Sequence, residues 1–163
     1  METIKIKEGL DLKLMGAPDQ ERPIEHKATR LVALTGPDYI GMKPTICVEA
    51  GDRVLAGQLL FLDKKNPGVK FTSPGAGVVT QINRGEKRAF HSIVIELDEG
   101  KDGQKAVEFE TVPENRIDDI FPATVRTILV NSGLWTALRT RPFSRIPKIS
   151  STPTSIFVTA TDT

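Results

Sequence analysis

Between Val48 and Val79 the chain is marked for four turns within 32 residues. Ala50-Gly51-Asp52 and Ala56-Gly57-Gln58 carry glycines six residues apart, with only Arg53, Val54 and Leu55 between the two turns. That interval is too short for a helix and suits a brief strand or loop. The apolar run Leu59-Leu60-Phe61-Leu62 follows, bounded by turn residues as a strand is. Asn66-Pro67-Gly68 then breaks the chain, because proline presets φ and glycine accepts φ > 0. Val69 and Phe71 lead out on a further strand, and Ser73-Pro74-Gly75-Ala76-Gly77 turns again before Val78-Val79. Short strands with a corner every few residues predict a small β-sandwich or flattened barrel, not a helix-covered sheet.

The order and spacing of these turns resemble the biotinyl/lipoyl carrier fold. There a G-D-x-V-x-x-G-Q-x-L segment precedes an exposed hairpin, and a proline- and glycine-bearing return follows it. Carriers present a modifiable lysine at the hairpin tip in a Met-Lys-Met or Asp-Lys-Ala setting. Here the tip reads Asp63-Lys64-Lys65-Asn66-Pro67. The fold carries over and the carrier chemistry does not: Lys64 and Lys65 read as solvated lysines beside a turn.

Composition narrows the class. Lys+Arg 22 against Asp+Glu 21 leaves almost no net charge, so nothing argues for a nucleic-acid surface. The longest apolar runs are four or five residues, far short of the roughly 18–20 that span a bilayer. Met1 to Leu14 alternates charged and apolar residues without the apolar core of a signal peptide. The one cysteine, Cys47, excludes an internal disulfide and a cysteine-ligated iron–sulfur cluster. His26 and His91 lack a metal-ligand companion at short spacing. The expectation is a soluble, metal-free polypeptide.

Taken in order, Ile4-Lys5-Ile6 and Leu10-Asp11-Leu12-Lys13-Leu14 alternate and predict strands. Met15 to Lys27 reads as loop, and Leu31-Val32-Ala33-Leu34 as a short strand. Tyr39-Ile40-Gly41-Met42-Lys43-Pro44 is an apolar-bearing loop that either caps the sandwich or forms part of an apolar ligand wall. Ile46 and Val48 face inward, with Cys47 and Glu49 opposite. Asn83-Arg84-Gly85-Glu86-Lys87-Arg88 is a charged turn, and Ser92 to Leu97 returns as a strand.

Beyond Asp98 the composition shifts. Ala106-Val107-Glu108-Phe109 predicts an edge strand. Ala123 to Val130, with Pro122 in the first turn and Asn131-Ser132-Gly133 as the stop, predicts a helix whose Val125, Ile128 and Leu129 share a face. Gly133 to Pro147 holds the only tryptophan, Trp135, with Phe143 and three arginines. The aromatics either pin a connection to the sandwich or, beside guanidinium groups, meet an anionic or planar polar ligand. Ser155-Ile156-Phe157-Val158-Thr159-Ala160 predicts a buried-type strand that opens an α/β unit cut at its carboxyl end. The fold class is therefore mainly β. It is a barrel-sandwich hybrid over 1–112, followed over 113–163 by a helix, a Trp/Arg-rich connection and the first strand of a truncated α/β domain.

The segments D-K-K-N-P-G-V-K-F-T-S-P (63–74) and S-G-L-W-T-A-L-R-T-R-P-F-S-R-I-P (132–147) carry a further resemblance. With K-E-G-L-D-L (7–12), G-M-K-P-T (41–45), V-E-A-G-D-R-V (48–54), N-R-G-E-K-R (83–88) and I-F-V-T-A-T-D-T (156–163), they are similar to the A-type subunit family of the bacterial Na⁺-translocating NADH:quinone reductase. A related component of the Rnf electron-transport complex has a similar barrel-sandwich region, but it carries cysteine-ligated clusters that one cysteine does not provide.

The resemblance implies a peripheral subunit on the cytoplasmic side of the bacterial inner membrane, inactive alone as a fragment. The complex it implies oxidises NADH, reduces ubiquinone and exports sodium. Flavins and iron–sulfur centres are implied in partner subunits, and no cofactor on this chain. The implied partners are those subunits, the membrane subunit especially, and quinone. Family segments similar to Thr35–Met42 and Leu138–Arg145 are associated with quinone and inhibitor binding. Tyr39, Met42, Leu138, Arg139, Arg141 and Phe143 are on that ground candidate quinone contacts. Phe143 is expected either to pack on the quinone head or to anchor its loop to the sandwich. A carrier domain and a purely structural interaction module are the alternative functions.

Overall fold

The computed structural model describes residues 15–16, 19, 21–23, 25, 27–100 and 105–158. The strands expected over 4–6 and 10–14, and His26, lie outside the described residues.

The frame is an antiparallel pair whose inward residues alternate with outward ones. Strands β6 (Gly77–Arg84) and β7 (Phe90–Leu97) pair with Val79 opposite Ile95 and Ile82 opposite Ile93. Val79, Ile93 and Ile95 are completely buried, while Ser92, Val94 and Glu96 point the other way, as the period of two requires. Strand β1 (Leu31–Thr35) adds to β7, and β3 (Arg53–Val54) to β6, giving a four-stranded sheet β1-β7-β6-β3. A second sheet has the order β2-β4-β5, with β2 at Pro44–Ile46, β4 at Leu59–Asp63 and β5 at Lys70–Thr72. Every ladder among the described residues is antiparallel.

Leu60 and Phe61 are consecutive yet both fully buried. Alternation alone would expose one of them. The register of β4 against β5 shifts between Leu59 and Phe61, and such a bulge re-aims side chains locally. Phe61 stacks on Phe71 with ring centroids 4.4 Å apart, and Phe90 tilts against Phe61 at 5.1 Å. Burying rings of this size stabilises a fold by about 1.5–3 kcal/mol each, so Phe61, Phe71 and Phe90 brace the place where the two sheets meet.

The sole α-helix among the described residues, α1, spans Pro122–Asn131, close to the expected bounds, with proline at its start. Its inward face is displaced from the expected one. Leu129 and Val130 pack against the core, while Val125 is exposed. The helix ends where Gly133 adopts φ 82°, and a Cβ there would lie 2.4 Å from Thr72 Oγ1. Only glycine joins α1 to β5 this closely.

Two expected strands are corrected. Ala106–Phe109 forms one bridge, Ala56 to Ala106, through Ala56 N to Lys105 O at 3.1 Å and Val107 N to Ala56 O at 2.8 Å. Its neighbour is the turn at Ala56-Gly57 and not a strand, so no ladder continues; Phe109 instead lies against Gly57. Ser155–Val158 also forms no strand, and residues 159–160 lie outside the described residues. Ile156, Phe157 and Val158 are 73%, 82% and 86% exposed, and no strand runs beside them among the described residues to satisfy their backbone.

Candidate functional site

Three segments distant in sequence meet at the end of the second sheet. The first is Tyr39–Met42, which follows a single 3₁₀ turn at Gly36–Asp38. The second is the β4–β5 hairpin, and the third is the strap Arg145–Ile149. They enclose a cavity of about 210 Å³ lined by Tyr39, Met42, Asp63, Lys65, Asn66, Arg145 and their neighbours.

The hairpin is fixed by its own side chains. Asp63, 7% exposed, uses Oδ1 to accept the backbone N–H groups of Lys43 at 3.0 Å and Lys65 at 2.9 Å. This closes the turn and ties it to the loop before β2. Asn66 is buried and donates its amide to the Pro147 carbonyl at 3.0 Å and, more weakly, to that of Ile146 at 3.4 Å. Lys64 and Lys65 are exposed, as expected of solvated lysines.

The strap is held from its other side as well. The Trp135 indole N–H donates to the Pro147 carbonyl at 3.0 Å, and Arg126 donates to the Ile149 carbonyl. Ile146 and Ile149 pack on the core. Trp135 is buried with the Arg126 guanidinium 5.8 Å from its ring, so it pins the connection to the sandwich.

Tyr39 takes the capping role that the sequence offered. Its ring sits edge-on against Phe71 at 4.7 Å and caps the core, and it also lines the cavity. Arg139 stands 5.5 Å from the Tyr39 ring centroid, a cation–π geometry. Burial pushes the Tyr39 hydroxyl above its ordinary value, the Arg139 charge pulls against that, and Asp38 adds a smaller upward push. Met42 lines the same cavity and packs on the core.

Leu138, Arg139 and Arg141 line a second, larger cavity of about 590 Å³ with Trp135, Pro147, Ile156 and Phe157. Arg139 also donates to the carbonyls of Thr136 and Leu138, which holds it at the border between the two cavities. The six candidate contacts therefore divide. Tyr39 and Met42 are in one cavity, Leu138, Arg139 and Arg141 in the other, and Arg139 joins them through the Tyr39 ring. Phe143 is 70% exposed and lines neither, so it does not anchor its loop to the sandwich. Sequence reasoning missed Asp63, Lys65, Asn66 and Lys148 as cavity residues. The available signal was the hairpin segment itself, whose Asp-x-Lys and Asn-Pro-Gly chemistry marks a tight turn but not what lies across from it.

Among the described residues, no group of three or more His, Cys, Asp or Glu side chains comes together to hold a metal ion. No helix among them is long and apolar enough to cross a membrane.

Residues 4–98 match the family model of the NqrA N-terminal barrel-sandwich hybrid domain. The chain belongs to the NqrA family. Residues 120–163 match the NqrA second alpha/beta domain, the region that holds α1, Trp135 and the strap. Among similar proteins is the A-type subunit of the Na(+)-translocating NADH-quinone reductase of Pseudomonas aeruginosa, 56% identical over 160 residues. Those of Vibrio anguillarum and Shewanella amazonensis are 51% identical over 160 residues and 48% identical over 162 residues. Each match covers 98% of this chain and 35% of the relative. This NqrA-family chain thus spans about a third of the length of the curated relatives it matches.

Proposed function

We infer that this chain serves in a Na⁺-translocating NADH-quinone reductase as a peripheral part of its NqrA component. In that role it contributes quinone contacts and assembly surface, with the redox centres in partner subunits on or in the inner membrane and this chain on the cytoplasmic side. The division into a barrel-sandwich region over 1–112 and the beginning of a second domain over 113–163 belongs to the same reading.

One observation carries it: the Arg139 guanidinium over the Tyr39 ring, which brings the two loop stretches flagged in the sequence to one border. A quinone head is flat and apolar on its faces and accepts hydrogen bonds at two opposed oxygens. The smaller cavity offers Tyr39 and Met42 as apolar surface and Lys65, Arg145 and Lys148 as donors. The larger one offers Leu138, Trp135, Ile156 and Phe157, surface suited to an apolar substituent.

The test is calorimetric titration of a short-chain ubiquinone and its hydroquinone into this chain, wild type and Arg139→Ala. Saturable binding that weakens several-fold on Arg139→Ala supports the reading. Absence of binding of both the ubiquinone and its hydroquinone to the wild-type chain refutes the quinone role and leaves a structural interaction module.

A further inference from the structure

The smaller cavity contains a carboxylate that the hairpin uses only by half. Asp63 Oδ1 accepts the Lys43 and Lys65 amides. Oδ2 has no hydrogen-bond partner among the described residues, yet it is not sealed from solvent, since no fully buried polar side-chain atom there lacks a partner. Asp63 lines the cavity, and Oδ2 is its side-chain oxygen left free to accept a further hydrogen bond. Three cationic side chains, Lys65, Arg145 and Lys148, line the same space, and none of them forms an ion pair with Asp63 among the described residues. The cavity therefore presents an acceptor carrying negative charge and, apart from it, donors carrying positive charge, with the Tyr39 ring as a flat wall.

A ligand that satisfies both must donate a hydrogen bond at one point and accept at another. An oxidised quinone cannot, because it has two carbonyl acceptors, and one of them turned to Asp63 would set lone pair against lone pair. A hydroquinone can: one hydroxyl donates to Oδ2 while the other oxygen accepts from a cationic side chain. Bonds of this charge-assisted kind are roughly twice as strong as neutral ones. A site built to receive a hydroxyl also rejects the analogue that lacks it far more strongly than an apolar pocket rejects a small change in shape.

We propose that Asp63 makes this cavity selective for the reduced, hydroxyl-bearing form of the quinone, by accepting a hydrogen bond from the hydroquinone at Oδ2. The proposal rests on the quinone reading above. It adds a direction to it: the site holds the product of quinone reduction in preference to the substrate.

The variant that isolates the effect is Asp63→Asn. The asparagine carbonyl can still accept the Lys43 and Lys65 amides, while the Oδ2 position changes from acceptor to donor. A short-chain ubiquinone and its hydroquinone would be titrated anaerobically, by calorimetry, into this chain as wild type and as Asp63→Asn. The wild type should bind the hydroquinone at least tenfold tighter, equivalent to about 1.4 kcal/mol. Asp63→Asn should abolish or reverse that preference. A hydroquinone dimethyl ether, which keeps the ring and loses the O–H donors, should bind the wild type no better than the quinone. That arm needs no variant, so it decides the matter even if Asp63→Asn folds poorly. Equal wild-type affinity for the two redox forms, a dimethyl ether that binds as well as the hydroquinone, or an Asp63→Asn effect of equal size on both forms would overturn the proposal and leave the quinone reading intact. If the wild type bound neither form, the quinone reading would fall and take the proposal with it.

Discussion

Asn66 and Trp135 donate to the same atom: the Pro147 carbonyl oxygen lies 3.0 Å from the amide nitrogen of one and 3.0 Å from the indole nitrogen of the other. One donor stands at the tip of the β4–β5 hairpin, the other just past α1. A single peptide unit thus ties the barrel-sandwich region to the segment that follows it. In the carrier fold the equivalent tip is free to present a lysine; here it is strapped down.

Removing either donor should be felt. Asn66→Asp keeps the side chain's shape but replaces the amide donor with an oxygen, leaving carbonyl facing carboxylate. A broken hydrogen bond of this buried kind costs about 1–3 kcal/mol. The expected result is a lowered unfolding midpoint together with a red shift of fluorescence from Trp135, the only tryptophan. An unchanged emission maximum would mean that the strap stands without Asn66.

Gly133 should tolerate no side chain. Its φ of 82° is strained for other residues, and a Cβ would meet Thr72 Oγ1 at 2.4 Å. Gly133→Ala is expected to destabilise by about 1–3 kcal/mol, read as a fall in denaturant midpoint with an unchanged slope. In Gly133→Ala/Thr72→Ala, which removes the obstructing hydroxyl and methyl, part of the loss should return. No recovery would assign the whole cost to the backbone angle.

Lys64 is exposed at the hairpin tip and lines neither of the two cavities. Lys64→Ala should change stability by no more than about 0.5 kcal/mol, and the intact mass of the chain should carry no acyl adduct. A biotinyl or lipoyl mass increment would restore the carrier reading.

Much of the sandwich was legible because its signals are local. Ile93 and Ile95 alternate with polar or outward neighbours, and glycine or proline stands at each corner between Gly51 and Gly77. The cavity was not legible, for a physical reason. Asn66 meets the strap across about 80 residues, and its acceptors are the backbone carbonyls of Ile146 and Pro147, which have no letter in a sequence. The edge strand expected at Ala106–Phe109 failed for the complementary reason. Its residues suit a strand, but the partner beside them is a turn, and pairing is a property of both sides. Arg139 and Phe143 show the same limit within one loop: both suit a ligand site by type, yet only Arg139 reaches Tyr39.

The Tyr39–Arg139 contact can be read directly through protons. Tyr39 is the only tyrosine, so the tyrosinate absorbance band titrates a single group. Burial disfavours the phenolate, and Arg139 only partly offsets that, so the midpoint in the native chain should lie above the ordinary 10.0. The folded state holds the phenolic proton more tightly than the unfolded state, so this contribution to stability is fully present below pH 10.0 and is lost as pH rises through the native midpoint. Tyr39→Phe should flatten the alkaline fall in unfolding midpoint over that window. Arg139→Ala removes the charge that favours phenolate and should move the native midpoint higher still, while leaving the midpoint in denaturant where it was. A native midpoint equal to the denatured one and unmoved by Arg139→Ala would show that the ring is solvated and that Arg139 does not lie over it in solution.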